Sequence, residues 1–367
     1  MKVKIGDLTK IKTGKLDANA SSEDGQYPFF TCSKEPLKIS TYSYDCECVL
    51  VAGNGDLNVK YYNGKFDAYQ RTYIIENNSD GKLYMPYLYL FMEEYVEELR
   101  RQAIGGVIKY IKLGNLTDAM IELPSVEEQR NIVKILFKAK QILEQREIEL
   151  EKLDELIKAR FVEMFGNPDV NEKNWNVYKM EQLCEVGSSK RIYQNDQSLT
   201  GIPFLRISDL VNRMDTGSKD CDLFIPEELF EKFKKQGLVP TRGDILLTAR
   251  GTLGRCYIIQ DDDEFYFQDG MITWLSKFDE KITPLYISYL FEMPEFRKQI
   301  DSLQAGSTVA YLSISMTKEL NVMVPPLELQ NQFAAFVAQT DKSKFEIQKS
   351  LEKTQLLFDS LMQEYFG

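Results

Sequence analysis

The chain's capacity for chemistry is limited first by an absence: none of its 367 residues is histidine. Without imidazole there is no Ser-His-Asp or Cys-His triad, no imidazole proton shuttle and no zinc site that needs a His ligand. Cysteines and carboxylates remain. Cys32, Cys46, Cys48, Cys184, Cys221 and Cys256 form no paired CxxC framework and are expected to be reduced thiols. Cys46 and Cys48 make at most half of a soft-metal site, against the plainer reading as two strand residues. Asp169, Glu172 and Lys173 look like a nuclease trio, compressed into a polar stretch. Gly53-Asn54-Gly55-Asp56 is a short turn outside any GxGxxG frame, and no GxxxxGK[ST] loop is present. The reading is therefore no catalytic residue, no metal and no cofactor.

The elements that must position any binding side chains are written twice. Lys4, Leu8 and Lys15 match Lys179, Leu183 and Lys190, and Pro28, Phe29 and Ser33 match Pro203, Phe204 and Ser208. VLVAGNG from position 49 answers ILLTARG from position 245. From Gly105 to Gly166 the match to Gly306–Gly367 is ungapped, with 12 identities over 62 positions, among them Tyr110, Pro124, Gln129 and Phe165. They fall on a Gly before an apolar strand, a Pro opening a helix and a Phe-Gly closing it, where local structure is decided. The second copy is longer by a net 26 residues, mostly between the strands near 208 and 245. The copies should share a frame and differ in their loops.

Within each copy, β-branched and aromatic runs at Val49–Ala52, Arg71–Ile75, Ile245–Thr248 and Met271–Leu275 read as strands. Helices are expected around 86–103 and 284–302, the second broken at Pro294. A long helix then closes each copy. The first, about 126–165, opens on Ser125 and Glu128 as a capping box and carries Leu136, Leu143, Leu150, Ile157 and Met164 at strict sevens. That period makes a coiled-coil seam on a rod of roughly 60 Å. The second repeats it with Val337, Leu351, Phe358 and Tyr365, interrupted by Lys344. The divisions are 1–124, a helix 125–166, a linker 167–175, then 176–325 and a second helix 326–367. The fold class is α+β.

At this point the residues resemble the DNA specificity (S) subunits of type I restriction-modification systems. The resemblance spans essentially the whole chain and rests on IPFLRISDL (202–210), GDILLTARGTLGR (243–255), GSTVAYLS (306–313), VPPLELQNQF (324–333) and LPSVEEQRNI (123–132). It implies two duplicated mixed α/β target-recognition domains separated by two long antiparallel coiled-coil helices with pseudo-two-fold symmetry. Each domain would read half of an asymmetric, bipartite target in double-stranded DNA. Two methylation (M) subunits would dock on this scaffold and, through them, endonuclease (R) subunits, with no chemistry in this chain. Asn167-Pro168-Asp169 indeed lacks the second proline and aromatic of an adenine-methylating loop.

If that resemblance holds, bases are read by forked side chains, Arg or Lys to guanine and Asn or Gln to adenine, on loops at the ends of the shared frame. In the first copy these are Lys12, Lys15, Lys60, Gln70, Arg71, Lys109 and Lys112, with Tyr110 beside them. In the second, the matching loops supply Lys190, Arg191, Arg206, Arg250, Arg255, Gln268 and Thr308, with Ser307 and Tyr311. Arg250 and Arg255 bracket Gly251-Thr252-Leu253-Gly254, a turn whose backbone can approach a phosphate, and are the favoured pair. With 45 basic against 56 acidic residues the formal charge is −11, which opposes diffuse binding to a polyanion but permits a basic face. The remaining alternatives are a protein-interaction adaptor assembled through its coiled coil and a self-sufficient DNA-modifying enzyme. With no apolar signal core at the N-terminus and no 18-residue apolar run, the chain is expected to be cytoplasmic, with no membrane partner.

Overall fold

A computed structural model describes residues 1–303 and 310–367. The chain divides into two compact units, Met1–Ile148 with Ile347–Gly367, and Glu149–Glu346. Both boundaries fall within the two 40-residue helices, Val126–Phe165 and Leu327–Phe366, so each helix gives one half to each unit.

In the first unit, six strands form one sheet in the order Thr9–Thr13, Thr72–Asn77, Tyr44–Ala52, Val59–Ala68, Tyr27–Phe30, Leu37–Ile39. Pairing is antiparallel except where Phe29 lies beside Asp67. Cys48 to Ala52 are buried without alternation, as in a strand covered on both faces. Val49, Val51 and Ile75 face a core built with the helix Met85–Gln102, while Cys48, Leu50 and Ile74 face a smaller one with Phe30, Tyr44 and Phe66. The larger core also takes in Ile132, Val133 and Leu136 from the first long helix and Met362 from the second. Cys46 and Cys48 are strand residues; burial pushes the Cys46 thiol up to about 11.

The second unit is built on the same frame. A four-stranded sheet runs Glu185–Gly187, Ile272–Ser276, Ile245–Thr248, Cys256–Ile258, and a three-stranded one runs Phe224–Ile225, Ile202–Leu205, Tyr266–Phe267. The registers repeat: Val49 opposite Ile75 and Ala52 opposite Thr72 in the first unit become Ile245 opposite Leu275 and Thr248 opposite Ile272. The parallel pair Phe29 and Asp67 recurs as Phe204 and Tyr266. The extra length of this copy is occupied by the helices Ile207–Thr216 and Glu227–Lys235. Pro294 divides its helical segment into Pro284–Glu292 and Pro294–Leu303.

The inner half of each long helix is attached by the same device. Gln129, fully buried, accepts a hydrogen bond from Tyr84 N (2.8 Å) and donates from Nε2 to the carbonyls of Lys82 and Pro124. Gln330 accepts from Thr283 N (2.9 Å) and donates to the carbonyls of Lys281 and Pro325. A buried tyrosine completes the repeat, Tyr87 donating to Glu122 O and Tyr286 to Met323 O. Ser125 caps the first long helix, its Oγ accepting from Glu128 N at 3.3 Å.

Inside the second unit the facing helix residues are Asp154 with Lys344, Arg160 with Phe336, and Phe165 with Phe333. One number rises as the other falls, so these two segments run antiparallel there. Lys344, the break in the apolar period, is half-buried and meets Asp154 at 2.6 Å. Phe161, Phe165, Tyr286 and Phe333 pack at ring separations of 4.9–5.5 Å and lock the helix pair onto the sheet domain.

Candidate nucleic-acid interface

Each unit carries, at the end of its central strand, a joint made of three distant stretches of chain. In the first unit Gly53 N donates to Arg71 O (2.8 Å), Ile111 N donates to Gly53 O (2.9 Å), and Asn54 forms a β-bridge with Tyr110. In the second Ala249 N donates to Met271 O (2.9 Å), Leu312 N donates to Ala249 O (3.0 Å), and Arg250 forms the bridge with Tyr311. Identical pairing with unlike side chains is what a duplicated frame with diverged loops should give. Both joints border a cleft.

In the second unit the cleft is a cavity of about 550 Å³ bordered by Arg191, Arg206, Arg250, Gln268 and Tyr311. Four of the seven residues expected for this copy thus converge, with the tyrosine beside them. Their charges are not equally available. Arg191 is paired with Asp269 at 2.9 Å, and Arg206 forks onto Asp209 at 3.0 and 3.2 Å. The exposed Arg250 guanidinium lies over the Tyr311 ring at 4.9 Å and has no carboxylate partner among the described residues.

Arg250 and Arg255, the two favoured contact residues, border different cavities. Arg255 lines a separate cavity with Arg213, Tyr289 and Glu292, ion-paired to Asp215 at 2.6 Å. The glycine turn between them, with Gly251 at φ +71° and Gly254 at φ +74°, spends amides on itself: Gly254 N donates to Thr248 O and Arg255 N to Thr248 Oγ1. Thr248 therefore engages the amides of Gly254 and Arg255. Lys190 is exposed with its amine 5.5 Å from the Phe233 ring. Thr308 and Ser307 lie outside the described residues.

In the first unit a cavity of about 320 Å³ is lined by Thr13, Gly53, Gln70, Arg71, Tyr73 and Ile111. Gln70 and Arg71 are exposed on its rim, and Lys15, Lys109 and Lys112 are exposed elsewhere on the unit's loops. Lys112 precedes the short helix Leu113–Thr117, its N–H donating to Asn115 Oδ1 at 2.7 Å. Lys12 and Lys60 are engaged within the sheet. Lys12 is paired with Glu76 and lies 4.7 Å from the Tyr44 ring. Lys60 donates to Asn58, and burial pulls its amine below the ordinary lysine range.

Gln70 and Gln268 are not equivalent in the two copies. Tyr69 N donates to Phe30 O and Gln268 N to Leu205 O, both at 2.9 Å, so Gln268 stands where Tyr69 does. Two residues then lead to the joint's carbonyl at Arg71 in the first unit, and three to that at Met271 in the second. One residue was missed. Asn54, half-exposed and with no side-chain hydrogen bond among the described residues, occupies the position of Arg250. The signal was the pairing of VLVAGNG with ILLTARG itself.

The acidic linker cluster is structural: Asp169 is ion-paired with Lys298 at 2.9 Å, and Lys173 donates to the carbonyls of Glu163 and Met164. No group of three metal-ligating side chains occurs among the described residues. No described helix is long and apolar enough to cross a membrane.

A family model for the type I restriction modification DNA specificity domain matches residues 1–152 and 172–356. The chain is 40% identical over 156 residues to the type I restriction enzyme EcoDI specificity subunit of Escherichia coli, a stretch that is 42% of this chain and 34% of that protein. It is 25% identical over 328 residues to a putative type I restriction enzyme specificity subunit of Haemophilus influenzae, covering 85% of this chain and 80% of the relative. The solved S subunit of a type I restriction-modification system from M. genitalium superposes with a TM-score of 0.63 at 17% identity, over 100% of this chain and 96% of that one. A structure bearing on complex assembly and conformational transition of the type I R-M system gives 0.61 at 14% identity, over 100% and 97%. At such identities the likeness is one of fold.

Proposed function

This chain belongs to the type I restriction modification DNA specificity family, and from that premise we propose that it is the non-catalytic recognition subunit of a DNA-methylating complex. It reads an asymmetric, bipartite target in double-stranded DNA, one half-site per unit. The observation that carries this is the repeated joint: identical backbone pairing in both units, with Asn54 and Tyr110 in one and Arg250 and Tyr311 in the other. One backbone frame offering two sets of forked side chains suits a split target with unlike halves.

In this reading residues 1–124 and 176–325 are the target-recognition domains, 125–166 and 326–367 an antiparallel coiled-coil spacer related by a pseudo-two-fold axis, and 167–175 the linker. Two methylation subunits dock on the scaffold, and endonuclease subunits join through them, in the cytoplasm. The candidate contact set is Lys15, Gln70, Arg71, Lys109 and Lys112 in the first unit, and Lys190, Arg191, Arg206, Arg250 and Gln268 in the second.

The −11 charge and the local pairing of Arg191, Arg206 and Arg255 with aspartates reduce the positive charge that this chain offers to phosphates. Counterion release by this chain alone is therefore small, and the methylation subunits supply much of the clamp. A mobility-shift assay on a random-sequence duplex library, with and without the methylation subunit, tests the reading. Selection of one split sequence by the complex is expected. A complex that selects no sequence contradicts it.

A further inference from the structure

In five of the candidate residues, charge or hydrogen-bonding capacity is already committed: Arg191 to Asp269, Arg206 to Asp209, Arg255 to Asp215, Lys12 to Glu76 and Lys60 to Asn58. Asn54 and Arg250 differ. They are structurally equivalent, each the residue that bridges a tyrosine at the joint. Neither has a carboxylate partner or a side-chain hydrogen bond among the described residues, and the Arg250 guanidinium lies over the Tyr311 ring at 4.9 Å. Each is a planar group with two polar atoms in a fork, placed by backbone pairing rather than by a flexible loop tip, Arg250 on the border of its unit's cavity and Asn54 next to Gly53, which lines the other.

The two forks complement different purines. Guanidinium donates twice and matches the O6 and N7 acceptors of guanine. Carboxamide donates once and accepts once, matching adenine N7 and N6 in the major groove. We propose that position 54 in the first unit and 250 in the second are one duplicated base-reading position, with Asn54 specifying an adenine in one half-site and Arg250 a guanine in the other. This rests on the proposed function and adds to it the residue and base class in each half. Gln268 and Arg206, on the same cleft as Arg250, fall to neighbouring base pairs.

The test uses the full chain with its methylation subunit. Methylated positions are mapped in the DNA of cells carrying the wild type, Asn54→Arg or Arg250→Asn. Arg250→Asn is expected to change or relax a single guanine position in one half-site and leave the other half intact. Asn54→Arg is expected to do the same at one adenine of the opposite half. Wild-type complex is then titrated on duplexes with 7-deazaguanine at each guanine of the affected half-site. One substitution should weaken binding roughly tenfold or more, the worth of the one charge-assisted hydrogen bond to N7 that it removes while leaving O6, and Arg250→Ala complex should be indifferent to that same substitution.

An unchanged motif for both variants overturns the assignment, as does equal weakening on all sequences, the mark of a phosphate contact. So does wild-type binding that is insensitive to every 7-deazaguanine. If the wild-type complex methylates at no defined sequence, the proposed function itself fails, and that result is distinct from the others.

Discussion

Replacing Gln129 with leucine, which nearly conserves volume, should loosen the attachment of the first long helix to its domain by a predictable amount. The side chain is fully buried and makes three hydrogen bonds, from Tyr84 N and to the carbonyls of Lys82 and Pro124, all at 2.8–2.9 Å. At about 1 kcal/mol net for each bond the loss is about 3 kcal/mol. The Tyr84 N–H, left without a partner, adds a desolvation penalty of about 1–3 kcal/mol, and leucine burial offsets a comparable amount. For a unit of this size 3 kcal/mol corresponds to a drop of roughly 6–12 °C in its unfolding midpoint. Scanning calorimetry on wild type, Gln129→Leu and Gln330→Leu measures it. The two variants should lose similar amounts, because Gln330 makes the same bonds to Thr283, Lys281 and Pro325. Hydrogen exchange at the Tyr84 amide should accelerate in the first variant only. Shifts below about 2 °C in both would refute the claim that these glutamines hold the helices to the domains.

Three further outcomes follow from the same geometry. In the first unit Lys140 pairs with Glu93 at 2.6 Å; the repeat puts Asp341 and Glu292 in those places, both carboxyls pushed up chiefly by desolvation, with Asp154, Lys158, Arg297 and Lys344 around them. The folded state thus holds these protons more tightly than the unfolded chain, so that contribution is full below about pH 4 and fades as pH rises through the raised values. Asp341→Lys should stabilise by up to about 1 kcal/mol near neutrality, with an advantage over wild type in midpoint that grows as pH rises out of the ordinary carboxylate range. Removing residues 137–143, one heptad of the first long helix, should alter the gap between half-sites or abolish assembly; an unchanged gap with full activity would show that the helix is not the spacer. The lone chain should bind its cognate duplex poorly and far more tightly once the methylation subunit is added, as measured by anisotropy at fixed salt.

Legibility in the sequence followed how local each determinant was. The duplication could be seen because its markers are backbone necessities: Pro124 and Pro325 stand before the two long helices, and Gln129 and Gln330 recur because their three bonds recur. The heptad period located both long helices, but that Lys344 is answered by Asp154 required knowing which residues face each other. The site was harder. Arg255 looked available until the inserted helix Ile207–Thr216 brought Asp215 to it, and Lys60 until its strand carried it beside Asn58. That Gln268 stands where Tyr69 does, with one extra residue before the joint, is located only by the hydrogen-bond register. Asn54 was passed over as part of a glycine turn, although its alignment with Arg250 was in view.

The central claim is that each unit independently reads one half of a split target. Exchanging residues 1–124 for the matching segment of a family member with a different target, then sequencing the positions methylated by the assembled complex, tests it most directly. The account predicts a motif in which one half-site is replaced while the other half and the gap are retained. Change in both halves, or in neither, would contradict it.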